Sequence, residues 1–168
     1  MRGTLALPSS PASSGMLSRW IEQRVAAYTE QAQSAGVHIA TEVEAEQWCF
    51  DPLHLSRAVE NLLSNALQHT PGGGVVRIAA HAHGAHLLLR VSDTGSGIAP
   101  EVLPRLFEPF VTSRASGTGL GLALVREIAV AHGGSVRLVC ATSGACFEIE
   151  IPWLPSSSLT TTPTFARV

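Results

Sequence analysis

Apolar and polar positions recur along the chain with two periods, and the changes from one period to the other divide it into elements. Leu17, Trp20, Ile21, Arg24, Val25 and Tyr28 carry an amphipathic helical pattern that fades near Gly36, which predicts one helix there. Val37 to Val43 and Gln47 to Phe50 read as two short strands. Asp51 then supplies an N-cap and Pro52 a first-turn proline for a long helix. Its inward stripe is Leu55, Val59, Leu62, Leu63 and Ala66, and it stops at Thr70-Pro71-Gly72. Val75 to Ala82 and His86 to Ser92 predict a hairpin around Gly84, after which a Gly- and Pro-rich stretch runs from Asp93 to Gly119. Leu120 to His132 predicts a second long helix, ended by Gly133-Gly134. Ser135 to Cys140 and Ala145 to Ile151 close the pattern as another hairpin. Helices alternating with hairpins predict an α/β (α+β) two-layer sandwich, in which one mixed β-sheet is covered by helices on a single face.

Length and composition narrow this picture. A chain of 168 residues with a 45% hydrophobic fraction suits one domain with a real core. Residues 1–15 and 155–168 are rich in Ser, Pro, Ala or Thr and read as flexible ends, which leaves 16–154 as the domain. A net charge of -2 with 11 Lys+Arg shows no basic excess, so nucleic acid is not an expected partner. No run approaches the ~20 apolar residues of a membrane helix, so no membrane contact is expected. The first residues lack a signal-peptide pattern, so the expected location is cytoplasmic. Cys49, Cys140 and Cys146 have no zinc spacing and are odd in number, which favours reduced thiols. Cys140 and Cys146 flank the turn of the second hairpin, where neighbouring positions are open to them.

Three segments carry candidate chemistry. The first long helix places Arg57, Asn61, Asn65 and His69 four apart, on one face beside the apolar stripe. A solvated face would look the same, but asparagine holds a helix position against its propensity. An amide oxygen is also a neutral hard ligand that Mg2+ accepts beside water and phosphate oxygens. Next, Val91-Ser92-Asp93-Thr94-Gly95-Ser96-Gly97-Ile98 ends an apolar strand in a carboxylate followed by two glycines. That pattern fits either a capped turn or a group facing a ligand where the backbone passes close by. Third, Ser116-Gly117-Thr118-Gly119-Leu120-Gly121-Leu122 runs straight into the second long helix. Glycines at alternate positions expose N–H groups at a helix start, an arrangement suited to phosphate.

In that order, Asn61-Leu62-Leu63-Ser64-Asn65-Ala66, Asp93-Thr94-Gly95-Ser96-Gly97 and Gly117-Thr118-Gly119-Leu120-Gly121-Leu122 resemble the N box and the two glycine boxes of sensor histidine kinases. Leu106-Phe107-Glu108-Pro109-Phe110 is similar to the F box of that family and lies between the glycine boxes, as in its members. The resemblance spans roughly Met16 to Leu154. It implies the ATP-binding catalytic domain of a two-component kinase in the GHKL group, which also holds gyrase and the MutL mismatch-repair proteins. The cofactors implied are ATP and Mg2+. Asn65 is then the Mg2+ ligand and Asn61 supports the phosphate region. Asp93 accepts the adenine amino group, with Gly95, Gly97 and Ile98 beside the base. Gly117, Thr118, Gly119, Leu120, Gly121 and Leu122 hold phosphate through their amides. The segment Phe107 to Ser116 becomes a mobile lid, in which Thr112 contacts nucleotide and Arg114 is the candidate cation for the transferring phosphoryl group. Phe110-Val111-Thr112-Ser113-Arg114 resembles the short lid of nitrogen-regulation-type sensor kinases.

There are departures from the family pattern. Gln68 stands where many relatives carry a basic residue, and His69 is open to a phosphate, capping or packing role. Hydrolytic GHKL members place a glutamate where Asn61 stands, and an amide cannot act as the base for water. Glu60, about 100° around the helix from Asn61, points elsewhere. None of His38, His54, His69, His81, His83, His86 and His132 sits in a phosphoacceptor box. The partner implied is therefore a histidine-containing dimerisation domain, in a longer parent protein or in trans, with a response regulator downstream. His81, His83 and His86 cluster at a hairpin turn, with a metal site or a solvated edge as the two readings. Two rival functions share part of the pattern. Asp93-Thr94-Gly95 imitates an aspartic protease, which requires an all-β chain. A nucleotide-binding regulatory module, anti-sigma-type or kinase-dead, would bind ATP without transferring phosphate.

Overall fold

The computed structural model describes residues 16–45, 48–111, 118–141 and 143–153. Helices α1 (Met16–Ala26) and α2 (Thr29–Ala35) lead into strand β1 (His38–Val43), and α3 (Pro52–His69) follows. The hairpin β2 (Val75–His83) and β3 (His86–Asp93) precedes a 3-10 turn (Leu103–Arg105) and α4 (Gly121–Ala131). A second hairpin, β4 (Ser135–Cys140) and β5 (Cys146–Pro152), closes the domain. The sheet is mixed, in the order β1-β2-β3-β5-β4, with β1 parallel to β2 and the other pairs antiparallel. Helices interleaved with the strands exclude the all-β chain that the protease reading needs.

Register explains the layering. Ile78 lies opposite Val91, which lies opposite Phe147, while Ala80, Leu89 and Ile149 form the next row. All six are buried, and α3 and α4 pack against the sheet. The opposite face carries a charged row, Arg90–Glu148–Arg137, aligned across β3, β5 and β4. Both arginines bond the Glu148 carboxylate, which is 0% exposed. Burial alone would raise its pKa, but the hydrogen bonds and charges of the two arginines outweigh that and hold it below the usual range. This pairing lets β5 break the alternation expected of a half-buried strand.

The sequence pattern differs from the structure in two places. The predicted first helix is two: at the break Tyr28 N–H donates to the Val25 carbonyl three residues back at 2.9 Å, the Tyr28 hydroxyl bonds the Glu60 carbonyl at 3.2 Å, and Thr29 Oγ1 bonds the Val25 carbonyl. Side-chain competition for backbone partners breaks the helix there. The strand predicted over Gln47 to Phe50 is absent at residues 48–50, and Gln47 lies outside the described residues. Trp48, Cys49 and Phe50 are instead a buried apolar loop, with Trp20 edge-on to Phe50 and Trp48 edge-on to Trp153. A short apolar run alone does not separate a strand from a buried loop.

Asp51 joins two helix ends. Its carboxylate accepts the N–H groups of Leu53 at 2.9 Å and His54 at 3.1 Å, capping α3. Its own N–H donates to His132 Nε2 at 3.0 Å, and His132 Nδ1 donates to the Ile128 carbonyl at 2.8 Å, just past α4. The imidazole is thus held neutral in one tautomer. Burial depresses its pKa against the raising influence of the Ile128 carbonyl and the Asp51 charge. An unfolded chain takes up a proton at this histidine near pH ~6.5, while the folded one resists it, so stability should fall as pH drops below that value. His132→Gln should cost about 1–3 kcal/mol at neutral pH and flatten this acid slope. Thermal melts of both proteins between pH 7.5 and 5 on the same buffer series (~half-unit steps) check it. An unchanged slope in the variant would assign the acid sensitivity to another group.

Candidate nucleotide site

The apolar stripe of α3 faces the sheet, and this rotation brings the asparagine stripe to the rim of a cavity of about 770 Å3. The cavity lies between α3, the end of β3, the start of α4 and β5. Asn61, Asn65, His69, Asp93, Gly97, Ile98, Thr118, Gly119, Gly121 and Leu122 line it, so segments far apart in sequence meet around one space. Gly95 and Leu120 do not line it. A Cβ on Gly95 would collide with the His69 carbonyl, so this glycine lets the β3 end pack on the end of α3. Leu120 is 44% exposed at the start of α4. Thr112, Arg114 and Gly117, and with them the expected lid from residue 112 to Ser116, lie outside the described residues.

The two asparagines differ. Asn61 Nδ2 donates to the Arg57 carbonyl at 2.8 Å, and its Oδ1 faces Gly121, where a Cβ would come within 2.9 Å. A glycine at 121 therefore lets α4 start close against α3. The Asn65 side chain has no hydrogen-bond partner among the described residues and lines the cavity. Glu60 turns away, as its neighbour position predicts, toward Arg24 on α1. Gln68 also lines the cavity and bonds Ser64 at 3.1 Å.

Asp93 is fixed by backbone. Its Oδ1 accepts the N–H groups of Gly95 at 2.8 Å and Ala145 at 3.3 Å, while Asp93 N–H donates to the Ala145 carbonyl at 2.9 Å. Oδ2 takes no partner among the described residues. Beyond it, Ile98 N–H donates to the Ala141 carbonyl at 3.1 Å, and Gly97 has a φ of 79° with no room for a Cβ against Ala141. Only glycine meets both demands there.

At the other end α4 follows Leu120, whose side chain caps none of its first N–H groups. Gly119 has a φ of 66° and a Cβ there would lie 2.5 Å from Phe110. Phe110 N–H donates to the Gly119 carbonyl at 2.9 Å, and Phe110 itself holds a positive φ of 66° with its ring 77% exposed. Such strain in a bulky residue collects at functional segments. Phe107 anchors the same segment edge-on to Phe147, with ring centroids 6.2 Å apart.

Ala145 and Phe147 of the second hairpin also line the cavity, and the sequence did not point to them. They reach the site through the β3–β5 register, a pairing that no local pattern announces. In the first hairpin His83 stands opposite His86 in register. His81 pairs with Glu44 at 3.0 Å and His86 with Glu150 at 3.7 Å. No group of three or more metal-binding side chains occurs among the described residues. No described helix is long and apolar enough to cross a membrane.

A mixed sheet backed by helices, with an uncapped glycine-rich helix start and a backbone-held carboxylate at two ends of one cavity, defines an ATP-binding α/β sandwich domain. Residues 50–155 match the family described as histidine kinase-, DNA gyrase B-, and HSP90-like ATPase, and the chain belongs to that family. The histidine protein kinase DivJ of Caulobacter vibrioides is 40% identical over 147 residues, covering 84% of this chain and 24% of that protein. The sensor histidine kinase CusS of Escherichia coli K12 is 38% identical over 127 residues, 72% of this chain and 26% of its own length. The chain thus spans about a quarter of these relatives. Full-length ShkA, solved in complex with AMPPNP, superposes with a TM-score of 0.77 at 31% identity, over 88% of this chain and 32% of that one. The nucleotide-free catalytic domain of histidine kinase ThkA gives 0.76 at 27% identity, over 83% and 93%. DivJ, CusS and ThkA are histidine kinases, which favours that branch over the regulatory nucleotide binders.

Proposed function

We propose that the chain is the catalytic, ATP-binding part of a two-component sensor histidine kinase. It would transfer the γ-phosphate of Mg-ATP to a histidine on a dimerisation domain, from which a response regulator draws it. The observation that carries this reading is the meeting of Asn61, Asn65, Asp93 and the Gly119–Leu122 turn around one cavity. Domain limits of 16–154 fit the ordered elements, which run from Met16 to Pro152. A cytoplasmic location suits a domain that consumes ATP.

In this reading, Asp93 Oδ2 accepts the adenine amino group while its Oδ1 stays bonded to backbone. Gly97 and Ile98 flank the base, and the amides from Gly119 to Leu122, leading into α4, receive phosphate oxygens. Gly117, Thr112 and Arg114 belong to the same proposal by family resemblance, with Arg114 neutralising charge on the transferring group. The Asn65 amide, without a partner among the described residues and lining the same cavity as Gly119 and Gly121, is the donor type that Mg2+ accepts with water and phosphate. The metal would supply charge neutralisation between phosphates. Asn61, with its amide nitrogen tied to Arg57, offers no base to water, so γ-phosphate is conserved for transfer.

Asn65→Ala should lose the Mg2+-dependent part of ATP affinity and spare metal-free adenosine binding. Calorimetry with and without Mg2+ measures both. Equal Mg2+ enhancement in wild type and variant would remove Asn65 from the metal.

A further inference from the structure

Two of the three cysteines stand opposite each other in a place that matters to the base end of the cavity. Cys140, the last residue of β4, is in register with Cys146, the first residue of β5. Directly opposed residues of an antiparallel pair have Cα atoms roughly 4.5–5.5 Å apart, inside the ~4.4–6.8 Å span that a disulfide bridges. A register shift between Leu138 and Cys140 loosens the ladder beside them, leaving local slack for adjustment. Cys140 is exposed and Cys146 half-buried, whereas Cys49 is buried elsewhere in the core. The chain between the pair reaches the site from both sides. The Ala141 carbonyl holds Ile98 N–H, and the Ala145 carbonyl accepts the Asp93 N–H while the Ala145 N–H donates to the Asp93 carboxylate.

The geometry points to Cys140 and Cys146 as a reversible thiol-oxidation site whose disulfide weakens nucleotide binding at the Asp93 end of the cavity. The coupling rests on the proposed ATP site. The oxidant class is a peroxide. The exposed Cys140 meets it first: Cys140–SH and H2O2 give Cys140–SOH and water. Cys146–SH then attacks that sulfur, forming the S–S bond and releasing the hydroxyl as a second water. Two electrons pass from the two thiols to the peroxide. Burial pushes the Cys146 thiol up, the largest influence on it, which disfavours it as the first to meet peroxide, and its register opposite Cys140 places it for the second step. Closing the bridge draws the Cβ atoms to ~3.8 Å and fixes their dihedral, so Ala141 and Ala145 must shift with their neighbours. Those shifts act on Ile98 and on Asp93, the contacts that hold the base in the proposed mode.

The test uses the 168-residue chain, fully reduced and then exposed to hydrogen peroxide. Denatured thiol titration should fall from three to one, with loss of two hydrogens in intact mass and a mapped Cys140–Cys146 peptide. Affinity for a fluorescent ATP analogue should drop on the order of fivefold or more and return with dithiothreitol. Cys140→Ser and Cys146→Ser, each binding nucleotide like the reduced wild type, should lose both the bond and the response. Thiols that persist, or a disulfide that maps between two chains or to Cys49, overturn the site. A mapped Cys140–Cys146 bond with unchanged affinity overturns the coupling. A reduced chain that binds no ATP overturns the proposed function and the coupling together, while the mapping still reads the bond independently.

Discussion

Asp93→Asn should lower ATP affinity by about tenfold or more without unfolding the domain, because a charge-assisted hydrogen bond is worth ~1.5–3 kcal/mol. The structure says why the loss cannot be repaired by rotation. Oδ1 already serves the N–H groups of Gly95 and Ala145. If the amide oxygen of asparagine keeps those bonds, its NH2 occupies the position of Oδ2 and meets the adenine amino group donor to donor. If the amide flips, two backbone donors lose their acceptor and the base end loosens. Calorimetry on a variant with wild-type circular dichroism measures the effect. Unchanged affinity would take Asp93 out of the site.

How much of this was readable beforehand depends on how local each cause is. The α3 helix was legible from Asp51 to Thr70 because its cap, first-turn proline and apolar stripe lie within the element itself. The β2–β3 hairpin was legible around Gly84 for the same reason. The glycines at 97, 119 and 121 were legible as positions at a cavity because their residue types contradict their surroundings. The break at Tyr28 was not, since it depends on a hydroxyl finding Glu60 on another helix. Nor was the packing role of Gly95, whose reason is the His69 carbonyl, nor the place of Ala145, which Asp93 reaches across the sheet. Buried Glu148 reads as a surface residue until Arg90 and Arg137 arrive on flanking strands. Each of these causes is non-local: a side chain meets a backbone or a charge brought from elsewhere by the register.

The remaining large effect concerns what the chain does alone and in company. Transfer needs an imidazole within ~3–3.5 Å of the γ-phosphorus and in line with the leaving oxygen. Of the seven histidines, His132 is buried between α3 and α4, and His81 and His86 lie on β2 and β3 in pairs with glutamates. The His54 ring pairs with Asp51, the cap of α3, and His38 and His83 sit on strands that do not line the cavity. His69 alone among the histidines lines it, on the same helix as Asn65 and without the sequence setting of a phosphoacceptor box. The purified chain should therefore bind Mg-ATP, hydrolyse it very slowly and take no label from γ-labelled ATP. Adding the matching dimerisation domain should place acid-labile, alkali-stable label on that partner alone. Gly119→Ala with Gly121→Ala should abolish this labelling, because one Cβ enters Phe110 at 2.5 Å in a left-handed backbone and the other presses on Asn61 at 2.9 Å. The turn would then be displaced from the phosphates while the core beneath it, built from Val125, Ile128 and Ala129, stays packed. A melting temperature near wild type with labelling lost is the expected pair of results. Stoichiometric acid-labile phosphate on the chain alone would make one of its own histidines an acceptor and end the reading of it as a catalytic half.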